Sequence, residues 1–313
     1  LDLMFDLKNL APDKVPYLGL LKSVLGYVDT AHYTYGELSN EINAETGGIA
    51  CGVEVFDRAD SVDEYRAFFG VKGKVMYPKM DVIFRMIREI LNTSDVTDTR
   101  RLHEIISRVK SRAQSSLVSA GHSTAVLRAA SYASPMAAFQ DGMAGIAYYQ
   151  FIEKLDREFD DRKEEIIENL KSLMVEILRP ENLCISYTGE RESLDSVQKQ
   201  IRELKKTLHQ EVTESSSSEM ICQKKNEGFM TSGQVQYVAQ AGNFRKKGYD
   251  YTGALNILKV ALSYDYLWIN IRVKGGAYGC MSGFKYSGES FFVSYRDPHL
   301  KRTFDVFAGI PDY

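Results

Sequence analysis

The feature that most constrains this chain is that it repeats itself. "GLLKSVLGY" leads through "YTYGELSNEINAE" to Gly47-Gly48 and the strand-like "IACGVEVF". Past residue 250, "GALNILKVALSYDYLWINIRV" leads to Gly275-Gly276 and "AYGCMSGFKY". When the two stretches are laid over one another, the glycine pairs coincide, Cys51 falls near Cys280, and Ile42 meets Ile271 once one residue is skipped. Pro78 and Pro298 each open a helical pattern after a hairpin. A chain that carries one module twice is restricted to folds in which that module is a self-sufficient layer of sheet and helix.

Local patterns fill in the first copy. "LDLMFDL" alternates apolar and polar residues as a half-buried strand does. Asp13 is placed to cap the next helix, with Pro16 in its first turn and Leu18, Leu21, Val24, Leu25 and Val28 at helical spacing. Thr34 and Glu37 form a capping box, and Gly47-Gly48 ends the helix that follows. "IACGVEVF" and "YRAFFGVKG" read as antiparallel strands, and helical patterns run from Pro78 to about residue 178, with a break near Ser134-Pro135. "NLCISYT" reads as a short buried strand, and Glu190 to His209 as a charged helix.

The fold class expected is α+β: repeated modules of a largely antiparallel sheet with helices packed on it. The first module spans 1–208, the serine- and charge-rich "HQEVTESSSSEMICQKK" at 209–225 reads as a solvated linker, and a second module spans 226–313. In the second module an apolar helix, a second helix, Gly-Gly and a strand are expected in turn. "SGES" then leads into the strand "FFVSYRD", and the helix after Pro298 holds Phe304 and Phe307. This copy stops where the first continues for another hundred residues, so it is expected to be truncated and the chain to be a piece of a longer polypeptide.

A net charge of −3 with dispersed Lys and Arg offers no basic face for phosphate backbones, so no nucleic-acid partner is expected. No apolar run long enough to span a bilayer is present, and no membrane association is expected. Cys51, Cys184, Cys222 and Cys280 form no CxxC pair and read as reduced, mostly buried thiols. A bacterial cytoplasm fits that usage, as does an organelle matrix.

The duplication also acts as an internal control for "RVKGGAYG". Both copies have Gly-Gly, so the glycines serve backbone geometry. Arg272 stands opposite Asn43, and Tyr278 opposite Ala50. The turn therefore does not itself require a cation or a phenol. An Arg in a helix's last turn is favoured by the macrodipole by about 0.3 to 1 kcal/mol, and Tyr is common in strands. Structural roles satisfy the spacing too. A guanidinium and a phenolic hydroxyl at one rim could equally donate to a peptide carbonyl or a developing oxyanion.

"IRVKGGAYG", with "LDLMFDL", "LLKSVLGYVDT", "YTYGELSNEINAETGGI" and "SYRDPHL", resembles the C-terminal half of the pitrilysin-like (insulinase) zinc metallopeptidases, in the subgroup of presequence protease and falcilysin. The resemblance covers nearly the whole chain. It implies a LuxS/pitrilysin-like metallopeptidase fold of four homologous modules, here one complete and one truncated, closing around a peptide in an internal chamber. It also implies zinc held by an HxxEH motif in the absent N-terminal half, the partner of this fragment, with Arg272 and Tyr278 reaching the substrate beside the metal.

No metal set is expected in the chain itself. None of His32, His103, His122, His209 and His299 has another His three or four residues away. "HEIIS" at 103–107 has Ser107 where HExxH needs its second ligand, and His103 is expected on a solvated helix face. "DREFDDRKEE" reads as a solvated helix start, "GHSTAV" and "ASYASPMAAF" as small-residue packing, and Trp268 as a core anchor rather than a stacking platform. Two functions of different class follow. One is the substrate-clamping half of a zinc endopeptidase, itself inactive; the other is a catalytically silent peptide-binding or scaffold subunit.

Overall fold

Leu3 and Phe5, both fully buried, make β1 (Asp2–Asp6) the inner strand of a four-stranded sheet. In the computed structural model, which describes residues 1–58, 60–210, 220–231 and 233–313, that sheet also holds β2 (Ile49–Asp57), β3 (Tyr65–Gly73) and β4 (Leu183–Ser186). The order is β2-β3-β1-β4. β1 runs antiparallel to β3, with Phe5 opposite Phe69, and to β4, with Phe5 opposite Leu183. The apolar pattern of β4 suggests a buried strand, but as the sheet edge it alternates half-buried and exposed residues, and Cys184 is exposed.

The helices of the first copy are α1 (Val15–Val24), α2 (Tyr35–Glu45), α3 (Met80–Thr93), α4 (Thr99–Ser119), α5 (Gly121–Ser131), α6 (Pro135–Ala144), α7 (Ile146–Arg157), α8 (Phe159–Ile177) and α9 (Leu194–Thr207). The Thr34–Glu37 capping box forms in full. Asp13 makes no cap, because a 3₁₀ turn at Pro12–Lys14 runs directly into α1. α1 is buried at Leu18, Leu20, Leu21 and Val24 and is tied to α8 by Lys14–Glu176 at 2.6 Å and Tyr17–Glu165 at 2.5 Å.

The second copy builds a three-stranded antiparallel sheet from β5 (Ala239–Asn243), β6 (Gly279–Phe284) and β7 (Glu289–Tyr295), in the order β5-β7-β6. In both copies the second hairpin strand therefore lies between its partner and the strand that precedes the helix. β5, the counterpart of β1, is not evident from sequence because "AQAGN" has neither branched nor aromatic residues.

Where the sequence pattern suggests two helices, one continuous helical run forms: α10 (Ala254–Ala261), then π turns at Leu262–Tyr266 and Trp268–Val273. Gly253 to Gly275 spans 22 positions against 28 from Gly19 to Gly47, which leaves no length for the loop between α1 and α2. α11 (Lys301–Ala308) follows Pro298 and buries Phe307. Leu262, Leu267, Ile271, Cys280, Val238 and Phe307 form the core of this copy.

Packing divides the chain into two compact units that are discontinuous in sequence. One comprises Leu1–Phe56, Arg66–Lys110 and Gln150–Ser218; the other comprises Asp57–Tyr65, Ser111–Tyr149 and Glu219–Tyr313. Within the second unit α5 packs on β5 and β7, which places α5 and α6 with the second sheet although they follow the first copy in sequence. Repetition and packing thus divide the chain differently. Of the linker read at 209–225, residues 211–219 lie outside the described residues; 220–225 have no regular structure.

Candidate functional site

The turn at Gly275-Gly276 is made by wide, nested hydrogen bonds. Lys274 N–H donates to Ile269 O at 2.9 Å, Gly276 N–H to Arg272 O at 2.8 Å and Ala277 N–H to Ile271 O at 3.1 Å. Gly276 has φ +79°, and a Cβ on Gly275 would stand 2.3 Å from the Ile271 carbonyl oxygen. Both glycines are required by backbone geometry, as the internal control implies. In the first copy Gly48 likewise has φ +106°. π turns inside helices are uncommon and recur at functional sites; this one carries Arg272.

Burial of Ile271 turns the next side chain, Arg272, out to solvent. Its guanidinium lies 4.0 Å over the Trp268 ring and 5.7 Å from the Tyr278 ring centroid. Trp268 packs against the core and at the same time serves as a platform, a role its sequence position does not suggest. Arg272 has no carboxylate at ion-pair distance among the described residues. Its charge offsets part of the burial that pushes the Cys280 thiol up to about 11.

Tyr278 begins β6's side of the site. Its N–H donates to Tyr295 O at 3.0 Å and Arg296 O at 3.3 Å, while its side chain is 65% exposed. The ring meets Tyr295 edge-on at 5.8 Å. Among the described residues its hydroxyl has no partner. The structure therefore brings both expected residues to one exposed edge, with their donors unspent. Tyr295 and Arg296, which sequence reasoning passes over, stand beside them; Arg296 lies 5.4 Å from the Tyr295 ring.

The other candidates resolve into packing. His103 is not simply solvated: it stacks on Phe159 at 4.3 Å and stands 3.5 Å from Asp156, which also accepts from Ser107 and Lys110. His32 pairs with Glu89. Gly121 in "GHSTAV" is fixed by close packing, since a Cβ there would stand 2.3 Å from the Tyr237 ring. Only Cys280 of the four thiols is buried; Cys51 and Cys222 are half-buried and Cys184 is exposed, because two of them sit on edge strands or irregular backbone.

Among the described residues no three His, Cys, Asp or Glu side chains converge so as to hold a metal ion. The donor set does not fit a zinc centre, which needs at least three such ligands. Nor is any helix of the described residues long and apolar enough to cross a membrane.

Two family models match: the associated region of peptidase family M16, subgroup C, over residues 1–155, and the PreP C-terminal domain over residues 226–312. The chain is 35% identical over 309 residues to "Protein HypA" of Clostridium perfringens, covering 99% of this chain and 32% of that protein. It is 28% identical to Presequence protease 1, chloroplastic/mitochondrial, of Arabidopsis thaliana, over all of this chain and 29% of that protein. The chain thus spans about a third of the length of these relatives.

Among solved structures, a conserved protein from Enterococcus faecalis V583 superposes with TM-score 0.61 at 14% identity, over 99% of this chain and 72% of that one. The peptidase M16 inactive domain from Pseudomonas fluorescens gives 0.53 at 14%, over 98% and 72%. These likenesses speak for the fold alone. Taken together, the two matching regions, the relatives and the duplicated sheet-and-helix module place the chain in the M16 presequence-protease-like peptidase family, as a C-terminal half.

Proposed function

We propose that this chain is the non-zinc-binding C-terminal half of a zinc metalloendopeptidase that degrades unfolded oligopeptides in a closed chamber. Arg272 and Tyr278 donate hydrogen bonds to the bound peptide carbonyl and to the oxyanion that develops from it. The observation that carries this reading is the pair itself: two exposed, unspent donors on a backbone held by Gly275, Gly276 and the Tyr295–Arg296 carbonyls. Asn43 and Ala50 stand in their places in the first copy.

The chain's own contribution is positional. Trp268 holds the Arg272 guanidinium by cation–π attraction, worth about 0.5 to 1 kcal/mol at an exposed site. A donor so held loses less freedom when substrate arrives. In this reading the metal belongs to residues outside 1–313. A zinc-supplied polypeptide of the relatives' length that includes this chain should hydrolyse an unstructured oligopeptide, and the 313-residue chain alone should leave it intact and retain no stoichiometric zinc after dialysis against chelator. Cleavage by the isolated chain, or one firmly held zinc per chain, would contradict the assignment.

A further inference from the structure

Arg296 is the only non-glycine residue with positive φ among the described residues, at +48°. Such a conformation is uncommon for a side chain of this size and persists only where its surroundings impose it. In the first copy the residue two before the helix-opening proline is Met76, in ordinary extended backbone at φ −73°. The same turn can therefore be made without the left-handed conformation. The second copy adopts it at the residue whose carbonyl, with that of Tyr295, receives the Tyr278 N–H.

Asp297 imposes it. Only 1% exposed, Asp297 accepts from His299 N–H at 2.8 Å and from the Thr303 hydroxyl at 2.6 Å, and exchanges two backbone bonds of 2.9 Å with Gln236. Its carboxylate is occupied by these donors and the turn is locked. Arg296 is left exposed, without an ion pair among the described residues. The result is a strip in the order Arg272, Tyr278, Tyr295, Arg296, with neighbouring groups 5.4 to 5.8 Å apart. Two guanidiniums at the ends of one aromatic strip, with no carboxylate of the described chain to answer either, call for a negatively charged group from outside.

We propose that Arg296 is a second cationic contact for the bound peptide, taking a carboxylate, either an acidic side chain or the C-terminal carboxylate, beside the Arg272–Tyr278 pair. This rests on the strip facing substrate, as the proposed function has it. The test is binding of three unstructured heptapeptides to the 313-residue chain by fluorescence anisotropy. One has a central Glu with both ends blocked, one a central Gln with both ends blocked, and one a central Gln with a free C-terminus.

At least one carboxylate probe should bind about 3- to 10-fold more tightly than the blocked Gln probe, the effect of one charge-assisted contact at an exposed site. Which of the two does so identifies the source of the carboxylate. In Arg296→Gly, which keeps the left-handed backbone and should melt no lower than wild type, the preference should disappear; in Arg296→Lys part of it should return. Equal affinity for all three probes, no binding of any, or a preference that survives Arg296→Gly overturns the inference. Arg272→Ala and Tyr278→Phe report separately. Wild-type binding in both, with the Arg296-dependent preference intact, would sink the donor-pair reading and leave this one standing.

Discussion

At the scale of single residues, charge and burial decide what each group can do. Burial pushes the Cys51 thiol up to about 12 and Cys280 up to about 11, and raises Cys222 as well, whereas Cys184 lies exposed on an edge strand. Only a thiolate is nucleophilic, so iodoacetamide at mild alkaline pH should modify Cys184 first; mass mapping that finds Cys51 or Cys280 leading would contradict the packing described. Glu165 shows the opposite shift. Hydrogen bonds from Arg162 and the Tyr17 hydroxyl hold its carboxyl at about 2. Because the folded value is depressed, its contribution is present above the unfolded value of about 4.3 and fades as pH falls toward the folded one. Tyr17→Phe should therefore raise the Glu165 titration midpoint in a carboxyl NMR titration, and an unmoved midpoint would show the hydroxyl to be idle.

Among the elements, the ends of helices were more legible than their middles. The Thr34–Glu37 box and the positive φ of Gly48 and Gly276 follow from residue types whose chemistry acts within a few positions. Gly276→Ala should cost about 1 to 2 kcal/mol in urea denaturation, the penalty of a left-handed L residue. Gly242→Ala, in open space on β5 with ordinary backbone, should cost less than about 0.5 kcal/mol. Equal effects would mean the Gly276 conformation is not needed. The π turns were not legible, since "LSYDYLWINIRV" keeps a helical apolar pattern in either register and only the shortened span between glycines hinted at them. β5 was invisible for want of β-forming residues, and the left-handed Arg296 because Asp297 imposes it through Thr303, His299 and Gln236.

For the whole molecule, the duplication foretold two like sheets, and the order β2-β3-β1 recurs as β6-β7-β5. It did not foretell that α5 and α6 would pack with the second sheet, because a repeat records which segments share a pattern, whereas packing depends on which apolar faces meet. The same duplication isolates function from scaffold. Whatever both copies share builds the module; the donors that only the second copy carries, Arg272 and Tyr278, are surplus to folding. The most direct measurement is peptide hydrolysis by the zinc-supplied, relatives-length polypeptide with Arg272→Ala or Tyr278→Phe, paired with thermal melting of each variant. Rates about 10 to 1000-fold lower, as on losing an oxyanion donor, with melting nearly unchanged, are predicted. Wild-type turnover in both variants, or a loss of rate that tracks a loss of stability, would contradict the account.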